Sequence, residues 1–268
     1  MDQMYGSGSG VLIRFGGKFF LLTAKHVIHN NIPGDFQNES PFWITSKFQS
    51  GWNSIYDFLF PKRIWYIGEK IENLSDTLDI SDLCLVELFD PPRFHRPNHF
   101  IDIESRCSIL GKDELFNGQI LLVTGYPFER NTFDYTPVSE EVTHTTSLHR
   151  YTVPGIFAKD EDFGFIKFCS IGDTVRHSNV NGMSGGAVYN VHLKANQVKL
   201  AGIPVSAGDN ICRFIPSHAF IDSLLNYSNS RSRIVDPIAE NEPPLEDRIL
   251  VYFKYMKDFY PKFPINFE

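Results

Sequence analysis

The sequence predicts an all-β barrel or sandwich, and three observations carry that expectation. Short runs of β-branched, aromatic and leucine residues recur along the chain with turn residues between them. Helical periodicity is rare, and 42% of the 268 residues are hydrophobic and 14% aromatic, enough for a sizeable core in one large or two small domains. Many short strands with turn signals between them close into barrels or pack as sandwiches.

The first element runs from Gly10 to Phe15 and meets a second, Lys18 to Thr23, across Gly16-Gly17, which is a hairpin signal. Comparable runs follow at Phe42–Phe48, Ile64–Ile67, Leu83–Phe89, Gln119–Gly125, Phe163–Ser170, Ala187–Val191, Gln197–Val205 and Ile211–Ile215. Segment 128–155 is polar with weak periodicity and reads as a long loop or irregular hairpin.

Near the C-terminus, Phe220, Ile221, Leu224, Leu225 and Tyr227 recur at helical spacing behind Ser217, which suits an N-cap. Ser228 to Pro244 is rich in Ser, Asn, Pro and charge, like a linker. Beyond it, Leu245 to Tyr260 puts Ile249, Leu250, Phe253, Met256 and Phe259 on one helical face, with acids early and lysines late. That short helical tail packs back on the barrel or docks on a partner.

A net charge of −7, with no block of lysine and arginine, argues against nucleic-acid binding and for a peptide or small-molecule partner. The start MDQMYGSGSG lacks the basic and apolar regions of a secretory signal, and no run approaches the ~18 apolar residues of a membrane span. A soluble, cytoplasmic protein is expected. Cys84, Cys107, Cys169 and Cys212 are isolated among apolar residues, so buried free thiols are expected, with no metal and no cofactor.

Chemistry concentrates in three segments. Asn181-Gly182-Met183-Ser184-Gly185-Gly186 spends three glycines and a serine on a bend that runs into an apolar stretch. A serine hydroxyl is a poor nucleophile until a base takes its proton, and the base needs a third group to hold its tautomer. His26, after Thr23-Ala24-Lys25 at the end of an apolar strand, is the candidate base, with His29 competing three residues on. Asp82, directly before the apolar run Leu83–Leu88, is the candidate acid, with Asp76 and Asp79 competing. Taken singly, each has an ordinary structural reading: a turn serine, a half-buried histidine, a loop acid.

Together, in the order His, Asp, Ser, they resemble the trypsin-like (chymotrypsin-fold) serine peptidases. Leu-Leu-Thr-Ala-Lys-His26-Val is similar to the family's histidine box, Asp82-Leu-Cys-Leu-Val to its aspartate box, and Gly182-Met-Ser184-Gly-Gly to its nucleophile box. The resemblance spans about Gly8 to Leu225 and implies a double six-stranded β-barrel with a C-terminal helix: 1–95 carrying His26 and Asp82, 96–228 carrying Ser184, and 229–268 as linker and helix. It implies His26 as general base, Asp82 as orienting acid and Ser184 as nucleophile, with the Gly182 and Ser184 amides as oxyanion hole. It also implies a substrate strand at Ser206, Ala207 and Gly208, and Ser178 at the base of the specificity pocket. Because Ser178 is uncharged, a small or apolar substrate side chain is expected.

The family's zymogen-activated members have an acid just before the nucleophile, where this chain has Met183. The pattern is therefore more similar to intracellular bacterial-type members. Expected partners are a protein or peptide substrate and an activating protein docked through the C-terminal helix, with no nucleic acid and no membrane. Two alternatives stay open: a pseudo-peptidase that grips a peptide without cutting it, and a partner-activated subunit of a multi-component bacterial defence or signalling system. His144, His149, Arg176, His177 and Asp209 are polar residues of expected loops, with no metal-ligand spacing among the histidines and aspartate.

Overall fold

The computed structural model describes residues 8–29, 44–45, 58–67, 80–91, 100–127, 132–134, 145–147, 149–159, 164–168, 182–208, 210–225 and 236–237. Strands β1 (Val11–Phe15) and β2 (Lys18–Ala24) form the expected hairpin in the register Val11↔Leu22 to Phe15↔Lys18. Gly16 and Gly17 turn it at φ 54° and 70°, the left-handed pair a two-residue hairpin needs and glycine takes without strain. A one-turn helix α1 (Lys25–His29) follows, then β3 (Ile44–Thr45), β4 (Phe58–Leu59), β5 (Pro61–Trp65), β6 (Leu83–Leu88) and β7 (Ile101–Asp102).

The second half contains β8 (Ile120–Gly125), β9 (Thr132–Asp134), β10 (Thr145–Ser147), β11 (Tyr151–Lys159), β12 (Gly164–Phe168), β13 (Ala187–His192), β14 (Gln197–Gly208) and β15 (Ile211–Pro216). Helix α2 (Ser217–Leu225) and a last short strand, β16 (Asp236–Pro237), complete the described chain. The first sheet has the order β16-β5-β6-β2-β1-β7, and the second closes as a six-stranded barrel, β11-β12-β15-β14-β13-β8. The architecture is the all-β one that the sequence predicts, a six-stranded sheet beside a six-stranded barrel.

Alternation decides which side chains face inward. Along β8, Leu121 and Val123 are fully buried while Ile120 is exposed, and they join Val153, Phe157, Ile166, Val188, Ala201 and Phe214 inside the barrel. Strand β6 is buried along its whole length because both of its faces are covered. Leu83 and Leu85 pack toward Leu200, Ile203, Ile215 and Phe220 of the second half, whereas Cys84, Val86 and Leu88 pack with Phe19, Ile28 and Ile64. One apolar cluster thus bridges the two halves. Glu87 breaks the pattern at 3% exposure, and ion pairs at 3.2 Å to both Lys18 and Arg63 supply the partners a buried carboxylate requires.

Four local expectations change. Segment 128–155, read as loop or irregular hairpin, holds the small β9–β10 ribbon and the start of β11, a full barrel strand. Pro154 and Gly155 disguise that strand. A Cβ on Gly155 would run into Ile166 and the Lys167 carbonyl, so glycine is the residue that lets β11 and β12 meet. Ser217 does open α2, but its hydroxyl donates to the Leu110 carbonyl at 3.0 Å in place of a cap. The stretch read as linker contributes β16, which pairs with Arg63 and Ile64.

The fourth concerns the thiols: Cys84 and Cys212 are buried, but Cys107 is exposed. Burial pushes the Cys212 thiol up to about 12 and the Cys84 thiol higher still, so both are inert core residues. Cys169 and the helical tail Leu245–Tyr260 lie outside the described residues. Among the described residues no helix is long and apolar enough to cross a membrane.

Candidate active site

The register of β2 against β6 brings the histidine and the acid together. Ala24 lies opposite Leu83, so the residues just past each strand end, His26 on one chain direction and Asp82 on the other, emerge at the same edge. The chain then coils into α1, turning both the ring and the backbone amide of His26 onto one carboxylate. The His26 N–H donates to Asp82 Oδ1 at 3.0 Å, and His26 Nδ1 lies 2.6 Å from Asp82 Oδ2. Asp82 closes a short 3₁₀ turn, Ile80–Asp82, and its side chain is 15% exposed against 38% for His26.

Two contacts from one carboxylate fix both the position and the tautomer of the ring. With Nδ1–H donated to Asp82, Nε2 is left as the basic nitrogen. The hydrogen bond to Asp82 raises the His26 pKa above the ordinary 6.5, burial opposes it, and Coulomb attraction to Asp82 adds to the rise. The competitor His29 is engaged elsewhere, with Nε2 at 2.7 Å from the Tyr66 hydroxyl.

The raised pKa fixes the sign of a pH effect. A general base works only when neutral, so its activity falls as pH drops through a pKa lying above 6.5. Were His26 to serve as a general base, the acid limb of kcat/KM would lie above 6.5 and move to lower pH in Asp82→Asn. A limb at or below 6.5 in the wild type contradicts this. The linked stability has the opposite sense: it is full below 6.5, where the imidazolium pairs with Asp82, and is lost as pH rises through the folded-state pKa.

Ser184 sits on the loop Gly182–Gly186 that leads into β13. Gly182 and Gly185 have φ of 94° and 79°, the left-handed region that disfavours any side chain. Close approach constrains the glycines further. A Cβ on Gly185 would meet the Thr23 hydroxyl and the Ala24 amide of β2, and one on Gly186 would strike the Thr124 carbonyl of β8. The serine loop is therefore wedged between the strand end that leads to His26 and the second barrel. Bonds from Gly185 N–H to the Pro204 carbonyl, 2.7 Å, and Gly186 N–H to the Met183 carbonyl, 3.0 Å, fix it there.

Met183 is fully buried in the core of the second barrel, among Leu121, Val123 and Phe214. Where zymogen-activated members of the resembled family carry an acid, this chain anchors the loop by apolar packing. Among the described residues, the amides of Gly182 and Ser184 have no acceptor. The Ser184 hydroxyl donates to the Val205 carbonyl at 3.2 Å, and among the described residues no hydrogen bond joins it to His26.

Beyond Gly202, where its pairing with β13 ends, β14 continues through Ser206, Ala207 and Gly208, bonded on its β15 side to Arg213, Cys212 and Ile211. Among the described residues, the other edge of that stretch has no strand partner. Ser178, Asp76, Asp79, His144, Arg176, His177 and Asp209 lie outside the described residues. His149 is exposed beside β11. Sequence reasoning missed Ser9, whose hydroxyl donates to the Gly182 carbonyl at 2.7 Å. The only signal for it was a serine between two glycines just ahead of β1.

No family model matches this chain, and no curated protein matches it in sequence. Solved structures are. Human heparin binding protein superposes with a TM-score of 0.52 at 13% identity, covering 83% of this chain and 86% of that one. A mutant of human heparin binding protein gives 0.52 at 13% identity, covering 87% and 90%. At that identity the likeness carries the fold and not the activity. The fold is the trypsin-like double barrel.

Proposed function

We propose that this protein is a serine endopeptidase of the trypsin-like type, acting on a protein or peptide. The observation that carries the proposal is the double grip of Asp82 on His26, at 3.0 Å to the amide and 2.6 Å to Nδ1. A structural histidine needs neither a fixed tautomer nor a raised pKa, whereas a general base gains from both. The wedged serine loop and its two unengaged amides add support.

In the proposed reaction Ser184 Oγ attacks the substrate carbonyl as His26 Nε2 takes its proton. Asp82 stabilises the imidazolium, the Gly182 and Ser184 amides receive the oxyanion, and His26 then hands the proton to the leaving amine. Water repeats the cycle on the acyl-enzyme. Substrate would pair along Ser206–Gly208, with Ser178 assigned to the pocket base by resemblance.

The test is the purified full chain against a peptide library, read by mass spectrometry. Amide cleavage behind small or apolar residues is the expected result. Peptides captured but left intact would favour the pseudo-peptidase reading instead. The intracellular bacterial-type assignment rests on Met183 and on the resemblance alone.

A further inference from the structure

We propose that Ser9 is a positioning residue for the oxyanion hole, using its hydroxyl to lock the peptide that joins the two donor amides; this rests on the reading of Ser184 as nucleophile. Ser9 precedes β1, is 4% exposed, and lies 173 residues from Gly182 in the chain. Its polar atoms have specific partners. The hydroxyl donates to the Gly182 carbonyl at 2.7 Å and accepts the Tyr126 N–H at 2.8 Å, while the Ser9 carbonyl accepts the Thr23 hydroxyl at 2.6 Å. One residue therefore ties the serine loop to the end of β8 and to the strand that leads into His26.

The bonded carbonyl is the decisive one. The Gly182–Met183 peptide lies between the peptide carrying the Gly182 N–H and the peptide carrying the Ser184 N–H. Its rotation sets how the two donors converge. Gly182 is at φ 94°, where glycine has wide freedom, so its own backbone does not fix that rotation. Three contacts do: Ser9 on the Gly182 carbonyl, the Gly186 N–H on the Met183 carbonyl, and the buried Met183 side chain.

Close packing shows that the strut is built in. A Cβ on Gly125 would lie 2.8 Å from Met183 Cα and 2.9 Å from Ser9 Oγ, so β8 carries glycine where the hydroxyl and the loop both rest on it. A Cβ on Gly185, the residue after the nucleophile, would also strike the Ser9 carbonyl. Without the hydroxyl the Gly182 carbonyl loses its donor, and the peptide can rotate so that the two amides no longer point to one place. Preorganised donors are what such a hole supplies, and a donor that must first reorient supplies less.

The test compares the full chain with Ser9→Ala and Ser9→Cys, using a fluorophosphonate and separating kinact from KI, with circular dichroism as the folding control. Ser9→Ala is expected to lower kinact by about 10- to 100-fold while KI stays within about twofold, because ground-state docking does not use the oxyanion donors. Ser9→Cys, nearly the same shape but a weaker donor, is expected to fall between the two. A folded Ser9→Ala chain with wild-type kinact overturns the role of Ser9 alone; should that variant fail to fold, wild-type kinact in Ser9→Cys does the same. A wild-type chain that does not react at Ser184 overturns the peptidase reading and the role of Ser9 with it.

Discussion

Ser184→Ala is expected to remove peptide cleavage and fluorophosphonate labelling together, with a loss of about 10⁶-fold in turnover if the triad acts as a unit. The size follows from the chemistry: alanine has no oxygen to form the acyl-enzyme, so only water attack remains. The fold is expected to survive. Ser184 is half-buried, and its hydroxyl makes one bond, to the Val205 carbonyl, so its removal costs on the order of 1 kcal/mol. For a chain of this size that is a fall in Tm of about 2–4 °C. Thermal denaturation beside the labelling assay separates lost chemistry from lost structure. Retained cleavage in the alanine variant would place the nucleophile elsewhere.

Asp82→Asn is the second large effect, expected to lower kcat by about 10⁴-fold, or about 5 kcal/mol of transition-state stabilisation. The asparagine Oδ1 can still accept the His26 amide now bonded to Asp82 at 3.0 Å, so the turn into α1 is kept. What changes is the side facing Nδ1, now 2.6 Å from a carboxylate oxygen. An amide NH₂ there donates to Nδ1, which moves the ring proton to Nε2 and removes the lone pair that must accept the serine proton. It also removes the negative charge that would stabilise the imidazolium. A loss under about tenfold in steady-state turnover would reduce Asp82 to a structural role.

Much of this arrangement is legible in the sequence, for reasons that differ by element. The hairpin at Gly16-Gly17 and strands such as β6 declare themselves because composition and turn chemistry are local. His26 and Asp82 are legible because each sits at a strand end, where register alone brings them together. Strand β11 is not, because Pro154 and Gly155 carry loop chemistry that only the close approach of β12 explains. Cys107 reads as core from its neighbours, yet it falls on the exposed connection between the two halves.

Ser9 is the clearest case of what a sequence hides. A serine flanked by glycines has no periodicity and belongs to no catalytic box, and its meaning comes from a carbonyl 173 residues away. The bend Gly182–Gly186 shows the same point from the other side. Its glycines read as freedom for φ, but Gly185 and Gly186 are needed as much because Thr23, Ala24 and Thr124 leave no room for a Cβ.

The central claim is that Ser184 is made nucleophilic by His26 held on Asp82. The most direct measurement is mass-spectrometric mapping of a fluorophosphonate adduct on the full chain, wild type beside His26→Ala. A single adduct on Ser184, lost or strongly slowed in His26→Ala, is the predicted result. An adduct on another residue, no adduct at all, or equal labelling in both chains contradicts it.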